Sequence, residues 1–403
     1  MTPAEDFCMK KLMLTLLSAS VFLMVCDSVR ADASDVPEQF RGHDESSTMS
    51  VNYDDLTALL KVVVADIGRS RRKDARPADD ITGTRMKPKV SMTANEGNRF
   101  YYETFEDDEE AQQFLIGIQK SLEQLPTEVA LEFFSRDEQL AYWLNLYNVT
   151  VLNELIALYP KRNLKKQVQG RSSIFSKKLL TVGGLPLSLN DIQFTILKYN
   201  YDNDPLIMYG LYQGIIGGPN IRKSAYTGTN VYGALKDNAI EFINSNRGTY
   251  GKYEGRFRVS SLYKRNSEYF PNFEPDLKNH LLSFLQGSER SKLELATAIK
   301  PDINDWNITD LSGSQGRIGG SFADSRAALL DSARSTVVDP NNPGKLLPAS
   351  IGAYNSFAAS KGRRVSGIQP DILILLNELN DKRMAENARN ASVEIEDIED
   401  DTE

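Results

Sequence analysis

The chain has 403 residues, of which 41% are apolar and 25% are charged. This ordinary globular composition excludes a collagen-like, disulfide-dense or mostly disordered protein, and the length allows one large domain or two smaller ones. The formal net charge is −8, but residues 34–393 carry 44 basic and 44 acidic residues. Because positive and negative charges are equal in number over these residues, we predict no strongly basic surface, and we expect neither nucleic acid nor anionic lipid as a partner.

The first predicted element is a secretory signal peptide over residues 1–33. A basic pair, Lys10-Lys11, precedes an apolar run at residues 12–25, and an Ala-x-Ala site ends at Ala33. These parts in this order are typical of a cleavable signal, and the run is short for a membrane span. Cleavage would place the mature chain, with no membrane span, in the bacterial periplasm or outside the cell. The alternatives are an uncleaved anchor and a lipoprotein linked at Cys26.

The only two cysteines, Cys8 and Cys26, lie within that signal. The mature chain therefore has neither a disulfide nor a thiol, which excludes a cysteine nucleophile, a cysteine-ligated zinc ion and an iron–sulfur cluster. Two histidines remain, His43 and His280, too few for a histidine-rich metal site. We expect no metal and no cofactor, and we interpret His280 as a partly buried histidine of a helix.

A core domain is predicted over residues 51–310, after a flexible lead-in at residues 34–50. Apolar spacing and end signals within it predict helices at residues 52–66, 107–124, 135–159, 188–198, 230–246 and 274–286. Short apolar runs predict strands at residues 206–212, 257–259 and 300–307. Residues 311–390 are predicted to form a helical extension packed on the core, and the acidic residues 391–403 a disordered tail. The predicted fold is a helix-rich α+β domain with a small central sheet.

The clearest element runs from Ser135 to Tyr159. Ser135 and Glu138 form a capping box at its start, and Pro160 marks its end. Apolar side chains recur at helical spacing and define one face: Leu140, Trp143, Leu144, Tyr147, Val151, Leu155 and Leu158. Asn145 and Asn148 lie within the same helix. Because asparagine is a weak helix former, this pair indicates either a buried hydrogen-bond network or a ligand site, and the sequence leaves both open.

Three ordered motifs resemble the uncharacterised proteins grouped as domain of unknown function 547. They are AYWLNLYNV at residues 141–149, LSLNDIQFTIL at residues 187–197, and the segment from Asp204-Pro205 to Gly218-Pro219. The resemblance covers residues 52–310. It implies a shared framework formed by Trp143, Asn145, Tyr147, Asn148 and Asp191.

The sequence departs from that family where its reactive residues would stand. The family tends to have Glu-His where this chain has Gln193-Phe194, a second His in place of Met208, and Cys in place of Gln213 and Gly218. A Cys, two His and a Glu brought together would supply a nucleophile and a general acid and base. Gln, Phe and Met supply none of these groups. The resemblance therefore implies a catalytically silent relative; alternatively, those family positions are structural.

The first functional hypothesis is an exported binding protein without catalytic residues. Its pocket would be neutral and partly apolar, lined by Gln193, Phe194, Met208, Tyr212 and Gln213, and would suit a small uncharged ligand or a peptide segment. Two alternatives stay open. One is a hydrolase that uses carboxylates or a serine elsewhere in the chain, and the other is a structural envelope protein that acts through its surface and acidic tail.

Overall fold

The computed structural model describes residues 35–70, 72, 92–93, 96–105, 108–170, 172–251, 255–310, 337–339 and 342–347. The predicted signal peptide and the acidic tail lie outside the described residues. Residues 1–37 and 38–403 form two separate units, and the helices and strands named below lie in the second. Of the helices described, none is both long enough and apolar enough to cross a membrane.

The described residues confirm the predicted α+β class, in which helices dominate and the sheets are small. The α-helices are α1 (Asp54–Val63), α2 (Glu109–Glu128), α3 (Arg136–Leu158), α4 (Lys165–Val168), α5 (Lys198–Asn200), α6 (Val231–Ile243), α7 (Ser261–Arg265), α8 (Phe273–Phe284) and α9 (Gly287–Glu294). The strands are β1 (Val64–Ala65), β2 (Arg99–Phe100), β3 (Lys178–Val182), β4 (Leu185–Ser188), β5 (Thr249–Gly251), β6 (Arg256–Ser260), β7 (Ala298–Ile303), β8 (Val337–Asp339) and β9 (Asn342–Leu347). Within residues 311–390, predicted as a helical extension, the description is limited to β8 and β9, which pair antiparallel.

Helix α3 occupies the centre of the fold. Its start is capped as the sequence predicts, because the Ser135 hydroxyl accepts a hydrogen bond from Glu138 N at 3.2 Å. The second half of the capping box does not form. The Glu138 carboxylate accepts instead from the backbone N–H groups of Val51 (3.0 Å) and Gly228 (2.8 Å). Every residue from Glu138 to Leu152 is buried. Since protein surrounds the helix on all sides, its polar side chains need partners within the fold.

Helix α2 continues past the proline at which the sequence predicts its end. Pro126 lies in the last turn of α2, which ends at Glu128. A proline has no N–H to donate to the carbonyl four residues earlier, here that of Leu122. The Tyr142 hydroxyl of α3 donates to this oxygen at 2.8 Å and supplies the missing bond. A contact between two packed helices therefore allows the helix to continue.

The three-stranded sheet has the order β5-β6-β7, with β5 antiparallel and β7 parallel to β6. It confirms the strands predicted at residues 257–259 and 300–307, although the second begins earlier and ends at Ile303. An aromatic core cluster packs here, and its buried members include Met208, Tyr209, Phe242, Phe257, Tyr263, Tyr269, Phe270, Leu277 and Leu281. Helix α7 follows β6 directly, so the sheet fixes where α7 begins.

Two predicted elements have a different form in the structure. The strand predicted at residues 206–212 is wrong, because Pro205–Tyr209 forms a 3₁₀ helix. Asp204 caps this helix by accepting from Leu206 N at 2.9 Å, and proline is well suited to the first helical position. Short apolar runs alone do not distinguish a strand from a helical turn. The helix predicted at residues 188–198 is present but contains a π-helical segment, Asp191–Leu197.

Candidate functional site

Asn145 and Asn148 hold the backbone of two loops against α3. Asn145 Nδ2 donates to Tyr226 O at 2.8 Å, and its Oδ1 accepts from Tyr226 N at 2.9 Å. Asn148 makes the equivalent bonds with Gly210 O and Tyr212 N, both at 2.9 Å. Each side chain satisfies one backbone donor and one backbone acceptor, as a neighbouring strand would. Both asparagines therefore have a structural role, because their hydrogen bonds hold two loops against α3.

The remaining framework residues are also engaged in the fold. Asp191 accepts from Ser188 N (2.5 Å), Ser188 Oγ (2.5 Å) and Lys178 Nζ (2.7 Å). Burial alone would raise the pKa of Asp191, but these hydrogen bonds lower it. Trp143 is buried with its ring edge against Phe40, at a centroid separation of 5.1 Å. The Tyr147 ring stacks with Phe175, the centroids 6.1 Å apart.

The two glutamines at the family-like positions contact consecutive residues of the chain. Gln193 Nε2 donates to Asn266 Oδ1 at 2.5 Å, and Gln213 Oε1 accepts from Arg265 Nη2 at 2.7 Å. Arg265 is the last residue of α7. The end of this helix therefore joins the π-helical segment to the loop at residues 210–219.

Phe194, Met208 and Tyr212 have different surroundings. Phe194 packs against the aromatic core cluster, and Met208 lies within it. The Tyr212 hydroxyl is hydrogen-bonded to the Tyr102 hydroxyl at 2.9 Å and to Thr309 Oγ1, and burial raises the pKa of Tyr212 to about 12. The five predicted pocket residues thus occupy three environments: the link through α7, the aromatic core, and this tyrosine pair.

Arg265 is a partly buried cation beside Gln213. Its Nη1 donates to Ser261 Oγ at 2.7 Å, and its guanidinium carbon lies 4.9 Å from the centre of the Trp306 ring. Its Nε is buried and has no hydrogen-bond partner among the described residues. Desolvation lowers the pKa of Arg265 to about 10, and the field of Tyr147 opposes this shift.

A buried ionic cluster supports the far end of the Gln213 loop. Arg247 is only 1% exposed; it pairs with Glu241, and its Nη1 donates to Gly218 O at 2.6 Å. The Arg247 backbone N–H donates to the Glu96 carboxylate at 3.1 Å. Burial raises the pKa of Glu241 to about 6; Arg247 opposes this shift, and the negative charge of Glu96 adds to it.

His280 lies on α8 among aromatic rings. Its Nε2 is hydrogen-bonded to the Tyr209 hydroxyl at 2.8 Å, and the rings of Tyr209, Phe270 and Phe284 lie 5.3–5.7 Å from it between centroids. Burial lowers the pKa of His280 to about 4. His280 is therefore the partly buried helix histidine expected from the sequence, packed against aromatic rings.

A small cavity beside α3 has room for about one water molecule. Its lining includes Asn145, Asn148 and Tyr226 and none of the five predicted pocket residues. Within the described part of the chain, no group of three or more His, Cys, Asp or Glu side chains could hold a metal ion. Partly exposed groups beside a family-like position, Gln213, are found instead around Arg265.

Sequence reasoning missed Arg265 and Trp306. Lys264 and Arg265 are adjacent basic residues, yet the first is exposed and the second partly buried, and no local pattern distinguishes them. Trp306 offers a weak signal, because a tryptophan between Asp305 and Asn307 is unusual for a surface turn. Their proximity arises from the parallel pairing of β6 and β7, which brings the residues after each strand to the same edge.

Residues 131–243 match the model of the family described as "Protein of unknown function, DUF547". The matched segment contains α3, the π-helical segment and the Gln213 loop, and it confirms the resemblance over these residues. Arg265 and Trp306 lie beyond it. No curated protein and no solved structure gives a significant match to the chain.

Proposed function

We propose that this protein, whose residues 131–243 match the DUF547 family, is an exported binding protein that keeps the family framework without its reactive groups. The observation that carries the proposal is the packing of the replaced positions. Gln193 is hydrogen-bonded to Asn266, Met208 belongs to the aromatic core cluster, and Phe194 packs against that cluster. Gln213 contacts Arg265, which is partly exposed, and a carboxamide is neither a nucleophile nor a base.

The surroundings of Gln213 refine the expected ligand. The neutral pocket predicted from the sequence did not include Arg265, which donates to Gln213. A guanidinium beside the partly exposed Trp306 favours a ligand with acceptor oxygens and an adjoining apolar part. A peptide segment, already among the predicted ligands, has both.

Turnover measurements test the absence of catalysis. The protein and its Gln213→Ala variant are assayed with peptide, ester and glycoside substrates between pH 5 and pH 8. We expect both proteins to match the uncatalysed rate with every substrate. Turnover that is lost in Gln213→Ala, or a bell-shaped pH profile that persists in it, would instead establish a hydrolase.

Export is tested separately. We expect the protein recovered from the periplasm or the medium to begin at Ser34, as measured by the mass of the intact chain. A chain that keeps residues 12–25, or one carrying lipid at Cys26, would contradict cleavage after Ala33.

A further inference from the structure

The hydrogen bonds of Arg265 leave one of its donor groups without a partner among the described residues. Because arginine can only donate, the Gln213 oxygen must face it, and the Gln213 amide nitrogen faces away. Within the described residues, Arg265 Nε is buried and lacks a hydrogen-bond partner. A guanidinium N–H can only donate. A ligand that completes this site would therefore contribute acceptor oxygens.

The charge environment of Arg265 differs from that of several other arginines. Other arginines pair with acids: Arg136 with Asp202, Arg247 with Glu241, and Arg258 with Asp302. Among the described residues no carboxylate lies within ion-pair distance of Arg265, although desolvation lowers its pKa to about 10. A cation that is desolvated without a counter-charge is costly to the fold. The bound ligand would supply the missing charge.

We propose that Arg265, Gln213 and Trp306 form a binding site for a carboxylate group. The carboxylate oxygens accept from the guanidinium, which the Gln213 oxygen holds in place, and the partly exposed Trp306 ring contacts the adjoining apolar part of the ligand. One guanidinium matches the single charge of a carboxylate, whereas a phosphate group carries nearly two. The inference rests on the proposed binding function and names the chemistry of its ligand.

The two tryptophans of the chain allow a direct test. The protein is labelled with ¹⁵N at tryptophan, which gives two indole signals, from Trp143 and Trp306. Benzoate is the probe, and benzamide, which has the same shape without the charge, is its control. We expect benzoate to move the Trp306 signal saturably and to leave the signal of the buried Trp143 unchanged. Benzamide moves neither.

Variants assign the effect to the proposed residues. Arg265→Gln should weaken benzoate binding by about tenfold or more, because a charge-assisted pair is lost. Gln213→Glu places a carboxylate of the chain itself on Arg265, so it should also block benzoate and should raise the melting temperature. Arg290→Gln, which removes an exposed arginine that pairs with Glu294, should change neither. An unchanged Trp143 signal shows that each variant is folded.

Several outcomes would overturn the site. They are the absence of a saturable shift at Trp306, equal shifts with benzamide, unaltered binding in both Arg265→Gln and Gln213→Glu, and tighter binding of inorganic phosphate than of benzoate. Substrate turnover in the assays described above would reject the silent binding function and leave the carboxylate site standing. A failed benzoate titration without turnover would reject only the site.

Discussion

The Asn145 side chain satisfies both backbone hydrogen-bonding groups of Tyr226, a residue 81 positions later in the chain. One amide of α3 thus holds the loop before α6 at Tyr226, and Glu138 of the same helix holds it at Gly228. Asn148, one turn further along the helix, holds the loop that leads to Gln213 in the same way. Asn148 therefore helps to position the proposed site without belonging to it, whereas Asn145 holds a neighbouring loop.

Replacing Asn145 by alanine tests whether its side chain holds the loop at Tyr226 in place. Asn145→Ala leaves a buried N–H and a buried carbonyl of Tyr226 without partners, so we expect the free energy of unfolding to fall by about 3 kcal/mol. Urea unfolding monitored by circular dichroism measures the change. Asn153→Ala is the matched control on the same helix, because Asn153 bonds only a side chain, that of Gln119, and should cost less than about 1 kcal/mol. Equal losses for the two variants would refute the assignment.

The Glu241 carboxyl makes the stability of the folded protein depend on pH. The sign of this dependence is unusual for an acid in an ion pair. Its pKa is about 6 in the folded protein against a reference value of 4.5, so the folded state binds this proton more tightly. Stability should therefore fall, by about 2 kcal/mol in total from this group, as the pH rises from below 4.5 to above 6. Urea unfolding of the protein and of Glu241→Gln across this range isolates the contribution. A difference between the two that does not vary with pH would contradict it.

Protonation of His280 changes the stability of the folded protein in the opposite direction, over an overlapping pH range. Its pKa is about 4 in the fold against 6.5, so the unfolded chain takes up the proton first, and stability is lost as the pH falls from 6.5 to 4. Because this loss opposes the contribution of Glu241, the pH profile of the unmodified protein does not isolate either group. NMR titration of the imidazole signals tests His280 directly, with His280→Phe assigning its signal against that of His43. A midpoint at or above pH 6 would show that the ring is not enclosed.

Two glycines should respond to alanine in opposite ways. A Cβ at Gly248 would lie 1.9 Å from the Phe242 carbonyl oxygen, so Gly248→Ala should destabilise the fold by about 2–3 kcal/mol. A Cβ at Gly233, exposed in α6, meets nothing within 4 Å, and Gly233→Ala should stabilise by about 0.5–1 kcal/mol. Chemical unfolding of both variants measures the difference. Two changes of the same sign would contradict the packing at Gly248.

Sequence signals located the elements whose ends are set locally. Ser135 and Pro160 bracket α3 because a cap and a helix-breaking residue act within a few positions. The prediction was wrong where a residue far away in the sequence determines where an element ends. Pro126 does not end α2, because Tyr142 satisfies the carbonyl that the proline cannot. The residues 206–212 lack the context that distinguishes a strand from a helical turn.

The site was predictable only in part for a similar reason. Gln193 and Gln213 stand out because a family comparison marks their positions, whereas Arg265 has no local signature of burial. The pairing of Arg247 with Glu241 shows the same limit, since the sequence gives two charges six positions apart and nothing about their depth. Burial of a charge depends on what packs over it, and those groups come from remote parts of the chain.

The π-helical segment Asp191–Leu197 constrains the length of the chain as well as its residue types. A π-turn contains an additional residue compared with an α-turn, so removing one residue would restore ordinary α-helical geometry. Each residue of an α-helix advances by about 100° around the axis, and such a deletion would rotate Gln193 away from Asn266. A single-residue deletion here should therefore be far less tolerated than the same deletion in a surface loop, even if every side chain that contacts α7 were retained.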